Sequence, residues 1–319
     1  MTDIICIGEI LIDLTQTGFH ESGVPLFAAN PGGAPANVAV AAARLGAHTA
    51  LIGKTGRDGF GRYLRQVLAD NGVDDAGLHE SELPTTMAIV SVDGSGERDF
   101  RFARGADNDF VPEEVDVNAI AGSKILHFGS VSLTPGPAQA ATLFAARSAK
   151  DAHVLVSYDP NYRSALWDSQ ENAVKWMQAP LPLVDVLKLS EEELPLITGT
   201  SELEEGTQLL EQQGVKLIMV TLGGNGVFCR WAGESWHQPG IPVKVADTNG
   251  AGDTFLAAVL SRLCRRESAP LEGLERAELK DILAFANRAA AFTCSRSGAI
   301  PAMPTWEELF DPQGGLRLP

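Results

Sequence analysis

The chain has 319 residues, 45% of them hydrophobic and 21% charged, enough for one large α/β domain with a sizeable core or for two modest domains, and too apolar for a disordered chain. Its formal net charge of −16 repels phosphodiester backbones. That speaks against a nucleic-acid partner and requires any bound nucleotide to be held by a local positive field. Cys6, Cys229, Cys264 and Cys294 are scattered without a C-x-x-C pair and read as free thiols in a reducing compartment. Six histidines form no H-E-x-x-H, so no zinc site is expected. The N-terminus lacks the basic start and long apolar stretch of a signal peptide, and no run approaches the roughly 18 apolar residues of a spanning helix. The expected location is the cytoplasm.

In chain order, Ile4–Ile7 is a short β-branched run that reads as a buried strand. Residues 13–30 are extended and punctuated by glycine. Ala36 to Leu45 is an alanine-rich helix with Val38, Ala42 and Leu45 on one face. Thr86–Phe102 holds two alternating runs around Asp93-Gly94-Ser95-Gly96, a hairpin signal in which Met87, Ile89, Phe100 and Phe102 are expected to form one apolar face. Buried strands recur at Ile125–Phe128, Val154–Tyr158, Val184–Leu189 and Leu217–Thr221, with helical patterns between several of them. A last apolar stripe, Leu256, Val259, Leu260 and Leu263, has helical spacing. Strands alternating with helices predict a mostly parallel central sheet covered on both faces. The two extended segments, about 13–30 and 85–107, predict a small β-sheet lid inserted in a single α/β domain over 1–319.

Two glycine-rich strings carry the chemistry. Asp247-Thr248-Asn249-Gly250-Ala251-Gly252-Asp253-Thr254-Phe255 follows an extended segment and opens the last amphipathic helix. Glycines at a helix start let the backbone approach an anion, and the free amides and helix dipole favour negative charge. Asp253 is placed there to take a proton from a hydroxyl while the amides of Gly250, Ala251 and Gly252 hold phosphate oxygens. The second string is Asn30-Pro31-Gly32-Gly33-Ala34-Pro35-Ala36-Asn37. Here glycines again precede a helix, and Asn37 offers both a donor and an acceptor to a sugar.

Two other patterns lead nowhere. Gly53-Lys54-Thr55 lacks the glycine that a P-loop needs at the position of His48, and no G-x-G-x-x-G follows the first strand. His127 and His153 lie in strand-like runs and read as satisfied core histidines rather than ligands.

The two glycine-rich strings resemble the paired signatures of ribokinase-like carbohydrate kinases. Further landmarks occur in order: Gly8-Glu9-Ile10-Leu11-Ile12-Asp13, Gly53-Lys54-Thr55-Gly56-Arg57-Asp58, Asp159-Pro160-Asn161-Tyr162-Arg163 and Thr221-Leu222-Gly223-Gly224-Asn225-Gly226. The resemblance spans about residues 4 to 304. It implies an ATP-dependent phosphoryl transfer with Asp253 as base. It places Asp13, Gly32, Gly33, Asn37, Arg104 and Arg163 at the sugar, and Lys188, Thr221, Gly223, Gly226 and Asn287 at the nucleotide. It implies Mg²⁺ held through water by Glu193, with Ser190 where the family commonly has asparagine. It also implies a K⁺ site at Asp247, Asn249 and Gly298, and a homodimer whose lids clasp each other. Leu126 to Leu133, Ser157 to Arg163 and Arg98 to Phe102 are similar to fructokinases, so fructose is the expected acceptor. 2-Keto-3-deoxygluconate, whose carboxylate Arg104 or Arg163 could fork, and an aminoimidazole riboside stay open as acceptors, as does a catalytically silent sugar sensor.

Overall fold

The computed structural model describes residues 2–92 and 98–310, with the backbone alone at 91–92 and 98–100. The turn expected at Asp93 to Gly96 lies outside the described residues. The chain opens with β1 (Ile4–Ile7), then a hairpin of β2 (Leu11–Phe19) and β3 (Pro25–Gly32). Next come α1 (Ala34–Arg44), β4 (Thr49–Gly56), α2 (Gly59–Asp70), β5 (Val73–Asp74) and β6 (Leu78–Ser81). A second hairpin, β7 (Met87–Val92) and β8 (Arg98–Ala103), precedes α3 (Val117–Ala121) and β9 (Ile125–Gly129). The middle of the chain runs α4 (Pro137–Asp151), β10 (Leu155–Asp159), α5 (Gln170–Gln178), β11 (Val186–Ser190), α6 (Glu193–Thr198) and α7 (Leu203–Gln212). It continues through β12 (Leu217–Thr221), β13 (Gly226–Trp231) and β14 (Glu234–Pro239) to α8 (Ala251–Leu263), α9 (Arg276–Cys294) and α10 (Trp306–Leu309).

The main sheet has the order β14-β13-β12-β11-β10-β9-β1-β4-β5, with β6 beside β4. Every pair from β12 through β4 to β5 and β6 is parallel, and only β13, antiparallel to both β12 and β14, is reversed. The strands are apolar on both sides because each side is covered. In β1, Ile4 and Cys6 pack with α1, α8 and α9, while Ile5 and Ile7 pack on the other face with Ala141 and Ala145 of α4. The period-two alternation of a strand divides one run of residues between two cores. As expected from sequence, the sheet is mostly parallel with helices on both faces. Its parallel strands end together, at Asp159 of β10, Ser190 of β11 and Thr221 of β12, and ligand sites of open α/β sheets lie beyond such ends.

The two hairpins form a separate four-stranded sheet, β3-β2-β7-β8, in which β2 and β7 pair in parallel. Register corrects one expectation here. Met87 pairs with Ala103 and Ile89 with Arg101, whereas Phe102 pairs with Ala88, which in turn pairs with Asp13. Directly paired residues share a face, so Phe102 lies on the face of Asp13, opposite Met87 and Ile89. Leu14 and Met87 instead pack toward the main core.

Candidate active site

The two glycine-rich strings form the starts of two helices that share one core. α1 begins after Gly33, whose φ of 107° belongs to glycine, with Pro35 in its first turn, where a missing N–H costs nothing. α8 begins after Gly250, with φ of 73°. Both helices are almost wholly buried, and Val38, Ala39 and Ala42 join Leu256, Val259 and Leu260 in the same cluster. Their polar residues near the start meet: Asn37 Nδ2 donates to Asp253 Oδ2 at 2.8 Å, across 216 residues of sequence.

Asp253 is 6% exposed. Its second oxygen accepts from Asn161 Nδ2 at 3.2 Å. Burial, then the negative charge of Asp159, raises its pKa to about 6, against the Asn37 bond and the charges of Lys188 and Arg163. Such a carboxylate is ionised at neutral pH and basic enough to take a proton. Asn37 Oδ1 is buried without a protein partner, so an acceptor waits beside the base.

Beneath the start of α8, Lys188 Nζ pairs with Asp159 Oδ2 at 2.9 Å, both groups buried. Burial works against the lysine's charge, but Asp159, Glu193 and Asp253 outweigh it and raise its pKa. A Cβ on Gly252 would stand 2.8 Å from Lys188 Nζ, so glycine lets this cation approach the helix start. Lys188 is thus a buried cation beside the start of α8. Of the three amides expected there, that of Ala251 already closes a turn onto the Thr248 carbonyl at 3.3 Å.

Glu193 is also buried, and its carboxylate is engaged on both sides. Oε1 accepts from Tyr162 N at 2.6 Å and Oε2 from Ser190 N at 2.7 Å. Ser190 Oγ in turn accepts from Glu193 N at 3.3 Å, the reciprocal bonding of a capping box. Lys188, Ser190, Glu192 and Glu193 line a cavity of about 280 Å³ with Asn161 and Arg163.

On the sugar side, the Asp13 carboxylate lies against Gly32, where a Cβ would come within 3.0 Å of its Cγ. Burial raises the Asp13 pKa to about 6, with the charge of Arg163 opposing and that of Asp253 reinforcing the shift. Gly33 is held against the Glu9 carbonyl, where a Cβ would stand 2.5 Å away. Arg163 is exposed and faces Asp13 and Asp253 electrostatically. The Arg104 guanidinium pairs with Asp107 at 2.8 Å and donates to Thr134 Oγ1 at 2.8 Å.

The residues expected at the nucleotide are divided. Thr221 ends β12 with its hydroxyl on the Leu189 carbonyl at 3.1 Å, and Gly223 and Gly226 shape the turn after it at φ of 55° and 97°. Asn287, on α9, donates to the carbonyl of Pro239 at 2.9 Å and so anchors the end of β14. Asp247 accepts from Asn249 N at 3.1 Å and from Gly298 N at 2.9 Å, tying together the two loops expected at a cation.

Comparison with known proteins places this geometry. The chain matches the pfkB family of carbohydrate kinases over residues 1–306. The chain belongs to that family. This pfkB kinase is 39% identical to fructokinase-1 of Zea mays over 314 residues, 96% of each chain. It superposes on the fructokinase of Xylella fastidiosa with bound ATP at a TM-score of 0.89, 32% identity and 96% coverage of both chains. A fructokinase double mutant of Vibrio cholerae O395, in fructose-, ADP- and potassium-bound form, gives a TM-score of 0.84 at 32% identity, covering 95% of this chain and 96% of that one.

Within the pfkB kinase, two site residues escaped the reading of the sequence. Asn161 was visible only as part of a strand-end string, and its contact with the base needs the fold. Glu9 is 3% exposed, holds Ala34 N at 3.1 Å through Oε1, and has its Oε2 buried without a protein partner. Burial, with the charge of Asp107, raises its pKa to about 7. The Ser190-to-Glu193 spacing did carry a legible signal, that of a capping box.

No group of three or more metal-ligating side chains occurs among the described residues. Mg²⁺, if carried on the phosphates with its own waters, would need no such cluster, and Glu193 and Ser190 are the residues that would hold its hydration shell. No described helix is long and apolar enough to cross a membrane.

Proposed function

We propose that this kinase transfers the γ-phosphoryl group of ATP to D-fructose, forming D-fructose 6-phosphate, with Asp253 as the base. The observation that carries the chemistry is a buried carboxylate at a glycine-rich helix start, held by two carboxamides. Fructose is supported by the relatives, which are named fructokinases across nearly the whole length of this chain.

Asp253 accepts the proton of the primary hydroxyl, whose oxygen then forms a bond to the γ-phosphorus. The bond from phosphorus to the bridging oxygen breaks, and ADP leaves. Phosphoryl transfer depends on alignment and charge neutralisation more than on covalent help from the protein. Asp13 and Asn37 hold hydroxyls of the sugar, and Gly32 and Gly33 bring the backbone close to it. Arg163 and Arg104 border this side. The amides of Gly250 and Gly252, with Lys188 beneath, meet the transferring phosphoryl group. Mg²⁺ neutralises phosphate charge when bound. The lid, part of one kinase domain, covers the sugar and keeps water from acting as the acceptor.

Asp253→Asn is expected to lower kcat by about 10² or more with substrate KM little changed, since a positioned base contributes 10²–10⁴-fold. Asp13→Ala, assayed beside it, raises the sugar KM well above any change in the ATP KM. Coupled ADP release over fructose, 2-keto-3-deoxygluconate, ribose and nucleosides settles the acceptor. Faster turnover of any other acceptor replaces fructose, and wild-type kcat in Asp253→Asn overturns the base.

A further inference from the structure

Asn161 adopts φ of 46°, in the left-handed region that side chains other than glycine seldom enter. His153 and Ala232 also do so, but both lie in exposed turns. Asn161 is half-buried in a segment pinned at nearly every polar group. Its own N–H donates to Asp159 Oδ1 at 3.2 Å, the Pro160 carbonyl accepts from Ser130 N at 3.1 Å, and Tyr162 N donates to Glu193 Oε1 at 2.6 Å. A sparsely populated backbone conformation persists where its surroundings over-determine it, and such places cluster at active sites. The product of this one is the bond from Asn161 Nδ2 to Asp253 Oδ1.

We infer that Asn161 is a positioning residue for the base: with Asn37 on the other oxygen, it fixes the rotation of the Asp253 carboxylate and holds it as the anion. The inference rests on the reading of Asp253 as the base. One carboxamide would leave the carboxylate free to turn about its χ2. Two, one from α1 and one from the strand-end loop after β10, set its plane and leave the remaining lone pairs for the sugar hydroxyl. Each donor prefers the ionised form, since a neutral carboxyl is a poorer acceptor. The charged groups that face Asp253 are Asp159 on β10, Lys188 on β11, Arg163 after β10 and Asp13 on β2. All four remain in the variants below.

The test compares Asn161→Gly, Asn161→Ala and Asn161→Asp with Asp253→Asn, reading kcat, both KM values and the pH profile of kcat/KM on fructose. Glycine keeps the left-handed backbone and removes only the amide, so it separates side chain from conformation. The expected result for Asn161→Gly is a kcat lower by roughly ten- to a hundred-fold, the scale of a lost hydrogen bond to a charged group, with the ATP KM little changed. The acidic limb of its profile moves to higher pH. Asn161→Asp moves that limb further, because a second carboxylate then faces the base. The position of a limb is read within one variant, so a reduced folded fraction does not shift it. Wild-type kcat and limb in Asn161→Gly, with impairment only in Asn161→Ala, would make the role one of backbone shape and overturn the inference. If Asp253→Asn is inactive while Asn161→Gly is unchanged, this inference alone falls. If Asp253→Asn keeps its kcat, the reading of the base falls instead.

Discussion

Three carboxyls near the site, Asp253, Asp13 and Glu9, all have pKa values raised by burial, to about 6, 6 and 7. Each binds a proton in the folded state at a pH where the unfolded chain has lost it. Stability from these groups is therefore greatest in mild acid and falls as pH rises through 4 to 7. For Asp253 the difference from its ordinary 3.8 corresponds to about 3 kcal/mol of cost at neutral pH, as one unit is about 1.4 kcal/mol. Asp253→Asn is then expected to melt higher than wild type at pH 8 and to lose that advantage near pH 4.5. Thermal melts at the two pH values check it, and an equal shift at both would count against a charge cost. The carboxylate itself was legible in sequence because its glycine string is specific. Its partners were not equally so. Asn37 was assigned to the sugar, but its bond to a residue 216 positions away is a product of helix packing. Asn161 acts through a φ angle that no residue identity announces. The resemblance placed Arg104 at the sugar, but its partners Asp107 and Thr134 were not legible without the fold.

Among the elements, the strands were the most legible. β1 falls on Ile4–Ile7 as expected, and the other buried runs become β9, β10, β11 and β12 within a few residues. Parallel strands buried on both faces must be continuous apolar runs, so composition alone marks them. The helix expected from Ala36 starts two residues earlier, because proline is welcome in a first turn. The face of the hairpin was misassigned, since a register shift of one residue exchanges the two faces of a strand. The loops at 247–250 and 298 make a prediction of their own. Asp247 joins them through two amides, and one of those loops carries Gly250 at the start of α8. We propose that K⁺, a hard cation suited to carbonyl and carboxylate oxygen, orders these loops and with them the amides that face phosphate. Titrating K⁺ into enzyme free of monovalent metal ions should raise the rate at subsaturating substrate. A flat response removes the site.

Among the described residues, four of the ten exposed large apolar side chains lie in one hairpin of the small sheet. Phe19, Val24, Leu26 and Phe27 are 65%, 56%, 46% and 39% exposed, all in or between β2 and β3. Apolar side chains left exposed on a small sheet are what a partner would cover. We propose a two-fold homodimer in which the lids of two copies meet. Light scattering at working concentration should give twice the chain mass, and Leu26→Asp should halve it. A monomer mass in wild type removes the dimer, and a dimer indifferent to both Leu26→Asp and Ile89→Asp puts the interface elsewhere.

The bond between Asn37 and Asp253 also has a meaning in time. A ribosome adding about 5–20 residues per second needs roughly 10–40 s to travel from one of these residues to the other. Throughout that interval the loop that will grip the sugar has been made, while the helix that completes its core and carries its base has not. The nascent enzyme therefore cannot be rescued early by its own substrate. Until the last quarter of the chain emerges, α1 lacks the helix α8 that shares its core.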